Sequence, residues 1–200
     1  MNDVPDELQT GWNELAKGAT ERALVLAEAL VAARPEDGRP LFLLACCYER
    51  LGRYRRADRC FRTAARAPLE PEPSPWRTTW RHFAQAVERA AEALPADLQH
   101  RLEEVAIVLA DHAPPAIALA ADNPEPLSWF SPAAASHTGE EMIEAKATIG
   151  PRIHLFRRPH EHHVSSGMEF DLEVQRSLYQ ELGHYLGLSA EDMAQRGLLD

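Results

Sequence analysis

Sliding the chain against itself by 34 residues lays Gly18 on Gly52, Ala23 on Ala57, Ala27 on Phe61 and Leu30 on Ala64. A period of that length belongs to a supersecondary unit that buries its apolar face only by stacking on a neighbouring copy. Within each period the apolar residues recur at helical spacing, so each unit reads as two helices joined by a tight turn. The four helices are expected near residues 5–17, 20–33, 38–51 and 54–67. Alanines at the repeated positions let the helices approach closely, and Tyr48 and Phe61 fill the space between them.

The period and its small-residue pattern resemble the tetratricopeptide repeat. The second unit fits more fully: Leu44, Ala45, Tyr48, Ala57, Phe61 and Ala64 fall where that repeat places its packing residues. The first unit keeps Ala23 and a helix-ending Pro35 but has Glu14 where an aromatic is usual. The resemblance implies a groove for a peptide or another protein. The alternative is that the helices only buttress the next domain. Two units are fewer than a free-standing solenoid needs, so a helix over 76–93 is expected to cap the stack.

Pro68, Pro71, Pro73 and Pro75 interrupt the helical pattern, and PLEPEPSP reads as an extended connector. The chain thus divides into helical repeats at 1–67, a linker at 68–75, and a second domain at 76–200. Charge divides along the same line. Residues 1–67 carry 11 basic and 10 acidic side chains, and residues 68–200 carry 10 and 21. The acidic second part argues against a nucleic-acid partner, because phosphates need a basic surface. One basic run exists on the fourth helix, where Arg53, Arg56 and Arg59 are candidates for docking an acidic partner protein or peptide; a solvated face is the plainer meaning. No apolar run reaches the roughly 20 residues of a membrane helix, and the polar start MNDVPDELQT is unlike a signal peptide. A cytoplasmic location with no membrane partner is therefore expected. Cys46, Cys47 and Cys60 have no metal or redox spacing and read as small buried hydrophobes.

Beyond the linker, residues 76–93 are helical by period, with Trp76, Trp80, Phe83 and Val87 on one stripe. VAIVLA at 105–110 and RIHLF at 152–156 read as strands, and another is expected near Leu127–Phe130. An acidic surface loop is expected within 112–150. In the last segment Val174, Leu178, Leu182 and Leu186 recur every four residues and should pack on the sheet. Glu173, Ser177, Gln180, Glu181 and His184 lie around the other side, and Gly187 ends the helix. The fold class is α+β: all-α hairpins followed by a small sheet packed on a final helix.

This order of elements, ending in QELGHYLGLSAEDM, resembles the minimal zincin-like metallopeptidases, whose signature is H-E-x-x-H-x-x-G followed by a short acidic stretch. The resemblance runs over roughly residues 80–200, supported by FAQAVERAAEALPADL, LEEVAIVLAD and PRIHLFRRP. It implies a zinc ion held by two histidines one helical turn apart and a third ligand, with a glutamate as general base. By position Glu181 matches the base and His184 the second ligand, while Gln180 stands where the first histidine belongs. A neutral amide oxygen is a poor donor to Zn²⁺. The third-ligand position is Ala190, with Glu191 and Asp192 one and two places late. Substitute ligands are available on paper: Glu191, Asp192, and His160, His162 and His163 in a loop after the RIHLF strand, which in the zincin architecture edges the substrate cleft. His154 alternates with Ile153 and Leu155 on the strand, with its direction left open, and His82, His100, His112 and His137 read as ordinary helix or loop residues.

Three functions are consistent with this pattern. The leading one is a zincin-like domain without peptidase activity, acting with the repeats as a protein-interaction or regulatory module and needing no cofactor. The second is a zinc metallopeptidase using the substitute ligands. The third is a purely structural assembly protein.

Overall fold

The computed structural model describes residues 4–132 and 150–198. His137 and most of the expected acidic loop lie outside the described residues. Four helices open the chain: α1 (Val4–Ala16), α2 (Thr20–Ala33), α3 (Gly38–Arg50) and α4 (Tyr54–Ala64). Each packs on the next.

The 34-residue period is written into the turns. Lys17 N donates to Asn13 O, and Leu51 N to Cys47 O, both at 3.1 Å. Ala19 N reaches Glu14 O at 2.9 Å, and Arg53 N reaches Tyr48 O at 2.8 Å. Gly18 and Gly52 sit at the same point of the two turns with φ of 78° and 68°, a left-handed conformation that costs other L-residues energy. Nothing lies within 4 Å of a Cβ built on Gly52, so only backbone strain opposes a side chain there. Gly52→Ala is expected to cost about 1–2 kcal/mol, and Gly52→Asn less, in urea unfolding.

Between the turns the matched positions are buried: Ala23, Ala27 and Leu30 in α2, and Ala57, Phe61 and Ala64 in α4. Phe42 of α3 meets Phe61 edge-on at a centroid distance of 5.1 Å. Cys46 and Cys47 are fully buried in this core, and desolvation lifts the Cys47 thiol up to about 12, so at neutral pH it acts as packing and not as a thiolate. The proline-rich connector is pinned at its start. Leu69 N donates to Glu36 O at 3.0 Å, Gly38 N to Leu69 O at 2.9 Å, and Glu72 N to Ala64 O at 3.2 Å.

Contacts gather the described residues into two compact units. One holds the chain up to Trp76 together with His112–Pro126; the other holds Arg77–Asp111 and the described residues from Leu127 onward. The excursion into the first unit carries a short helix, α7 (Pro115–Ala120), which lies on α1. It is fastened by Arg50, whose guanidinium donates to Glu125 Oε1 at 3.1 Å and 3.0 Å and to Pro124 O at 2.5 Å. The helix expected to cap the hairpins, α5 (Trp80–Glu92), packs on the last long helix of the second unit.

In that second unit α5 and α6 (Ala96–Leu102) lead to β1 (Ala106–Ala110), followed later by β2 (Ser128–Ser131) and β3 (Arg152–Phe156). The sheet order is β1-β3-β2, with β3 parallel to β1 and antiparallel to β2. The RIHLF strand is thus the middle strand and not an edge; among the described strands β1 and β2 are the outer two. After β3 come α8 (Arg157–His163), α9 (Gly167–Leu186) and α10 (Ala190–Gln195). The α+β expectation holds. Residues 157–163, expected as a loop, form helix α8, with Arg157, Pro159, His160 and Glu161 buried.

Candidate functional site

The side chains with chemistry stand on α9, which has defined ends. Ser166 Oγ accepts from Glu169 N at 3.2 Å at the N-terminus, and Gly187, with φ of 65°, closes the C-terminus. Val174, Leu178 and Leu182 are fully buried, as their spacing requires. Ser177 and Glu181, expected on the outer side, are buried as well, at 4% and 5% exposure. The helix is covered on more than one side. Tyr179 donates to Ala90 O of α5 at 3.0 Å, while β2 and β3 also lie against the helix.

Register decides which sheet residues face α9. Ser128 pairs with Leu155 and Phe130 with Ile153, so these four share a face. That face meets the helix: Ser128 Oγ donates to Glu181 Oε1 at 2.7 Å, and the Phe130 and Tyr185 rings lie 5.9 Å apart. His154 pairs with Trp129 and therefore lies on the opposite face. Burial, then Arg152, holds the His154 imidazole below its ordinary pKa, with Glu181 pulling the other way.

Glu181 is the centre of the arrangement. Its second oxygen, Oε2, accepts from His184 Nδ1 at 2.9 Å, which fixes the tautomer of that ring. Gln180 and His184 are both exposed. Ser128 is not legible as a site residue in the sequence. The one available signal is its place in the expected strand, two residues before Phe130, but which face it takes depends on register. The constellation is not a nucleophilic triad, because the serine donates to the carboxylate and not to an imidazole.

The substitute ligands do not gather around it. His160 is fully buried: its Nδ1 donates to Phe156 O at 2.7 Å and its Nε2 accepts from Ser177 Oγ at 3.0 Å, so both nitrogens are committed. Asp192 closes a capping box with Ser189, whose Oγ donates to Asp192 Oδ2 at 2.6 Å. Glu191 accepts from Gln195 at 3.5 Å within the same short helix. His162 is half-buried and His163 exposed on α8. A catalytic zinc needs about three protein donors around an open position. Among the described residues no group of three or more His, Cys, Asp or Glu is placed to hold a metal ion. By donor chemistry, the neutral amide of Gln180 and the methyl of Ala190 do not supply the ligands that the family signature implies beside His184.

Burial has a measurable consequence at His160. Desolvation pulls its pKa down to about 4 from 6.5. In the unfolded chain the ring binds a proton near pH 6.5, so between that pH and about 4 the unfolded state holds more protons. Its contribution is complete above pH 6.5 and is lost as pH falls toward 4, for a total of about 3 kcal/mol. Unfolding free energy measured across that range is expected to fall accordingly, and the His160 ring signals in NMR to stay in the neutral form at pH 5.

A three-stranded mixed sheet thus packs against a helix that carries E-x-x-H at its C-terminal end. Residues 102–198 match the family model for zincin-like metallopeptidases. No curated protein matches the chain. Among the described residues no helix is long and apolar enough to cross a membrane.

Proposed function

We propose that the chain is a catalytically inactive zincin-like protein that works as a protein-interaction or regulatory module. The observation that carries this reading is the state of Glu181. A general base must present a carboxylate oxygen to water polarised by a metal. Here Ser128 occupies one oxygen and His184 the other, and the neighbouring ligand position is Gln180. The carboxylate then serves to tie α9 to β2. The scaffold's packing is retained while its ligand set is incomplete, which fits a domain kept for binding.

The partner surface in this reading lies on α4. Arg53, the N-cap residue of α4, and Arg56 and Arg59 within it are exposed, with Arg56 5.7 Å from the Tyr48 ring centroid. Arg59, Arg62 and Arg66 line a cavity of about 550 Å³ beside Pro35 and Leu41. Guanidiniums beside apolar walls suit an acidic segment of a partner protein, with an attraction that weakens in salt. The test pairs a peptide-cleavage assay with co-purification of partners. Wild type is expected to cleave nothing, and the interaction should survive Glu181→Ala but be lost in an Arg53/Arg56/Arg59→Glu variant. Cleavage abolished by Glu181→Ala would overturn the reading.

A further inference from the structure

A different cavity in the N-terminal unit, between α1 and α3, has walls of another chemistry. It holds about 520 Å³ and is lined by Leu8, Gln9, Trp12, Arg39, Phe42 and Glu72. Trp12 and Phe42 are half-buried, with ring centroids 6.4 Å apart at an angle of 47°. Glu72 reaches the rim because its own backbone is pinned to Ala64 O.

Charge sets what this cavity can hold. Arg39 already has a partner: its Nε and Nη2 donate to the two Asp37 oxygens at 3.0 Å and 2.7 Å. That fork is satisfied and offers little to an incoming anion. Glu72 lines the same cavity and is half-buried. Partial desolvation raises its pKa, and Glu70 and Asp37 push the same way against Arg39. Arg39 and Glu72 both line this aromatic pocket, with Asp37 paired to Arg39 and Glu70 adding further negative charge nearby. An incoming cation would relieve the repulsion and lie against the rings.

We propose that this cavity is a recognition site for an arginine side chain of a partner protein, stacked against Trp12 and Phe42 and paired with Glu72. The inference deepens the interaction-module reading. It can fail separately, because the α4 arginines are not among the residues that line this cavity.

The experiment uses the full chain without a tag and two uncharged-ended peptides, acetyl-Leu-Arg-Leu-amide and its citrulline counterpart. The readout is the Trp12 indole signal in ¹⁵N NMR, assigned with Trp12→Phe. The arginine peptide is expected to shift that signal, with an affinity about fivefold or more above that of citrulline. Glu72→Gln is expected to remove the preference while leaving the urea midpoint unchanged, since the side chain sits at the rim. Equal affinity for both peptides, no shift at millimolar peptide, or an arginine preference that persists in Glu72→Gln would each overturn the proposal. So would an equal shift by acetyl-Leu-Glu-Leu-amide.

Discussion

Glu161→Gln is expected to destabilise the second unit by about 3–5 kcal/mol, the usual cost of removing one partner from a buried charge cluster. Glu161 has no solvent exposure. Arg77 Nη1 and Arg158 Nη1 donate to its Oε2 at 2.9 Å and 2.8 Å, and Thr78 N to Oε1 at 3.2 Å. Arg157 stands 3.9 Å from Oε1 and is held mainly by Asp111 at 2.7 Å. Removing the central charge leaves nearby guanidiniums to repel one another with little water to screen them. The loss should appear as a lower urea midpoint at unchanged slope. An effect below about 1 kcal/mol, the size of an exposed pair, would mean that water reaches the cluster.

This cluster also explains what the sequence concealed. RRPHEHHVSSG is largely polar and reads as a surface loop. It folds as a buried helix because Arg77 and Arg158 neutralise Glu161 and Ser177 satisfies His160. Ser177 lies 17 residues from His160 in sequence, and Arg77 lies 84 from Glu161, beyond any local pattern. The same applies to 112–126, whose place beside the hairpins depends on the Arg50–Glu125 pair across 75 residues. Periodic elements were legible for the converse reason. The hairpins repeat one turn geometry at a fixed spacing, and the α9 stripe is set by helical pitch alone. At the site, Glu181, His184 and Gln180 were readable from the motif, but the Ser128 contact depends on strand register, which the sequence leaves open.

The second large effect concerns restoring the missing ligands. Gln180→His together with Ala190→Asp is expected to convert the chain into one that binds zinc stoichiometrically. Positions 180 and 184 are one helical turn apart, and both are exposed on α9. A new imidazole therefore enters without disturbing the core and lies beside the first. His184 Nδ1 is already oriented by Glu181, which leaves Nε2 as the donor, the arrangement that favours metal ligation. Position 190 begins α10, where an added carboxylate also suits the helix N-terminus. A folded double variant that binds no zinc would mean that the family's ligand positions have been mapped onto the wrong residues.

The central proposal is that the zincin-like region stands here without a working metal site. Elemental analysis of the wild-type protein, prepared without a histidine tag and dialysed against zinc-containing buffer, tests it most directly. Far less than one zinc per chain is expected, with no change in His184→Ala. Stoichiometric zinc that disappears in His184→Ala would show a repaired site and contradict the account.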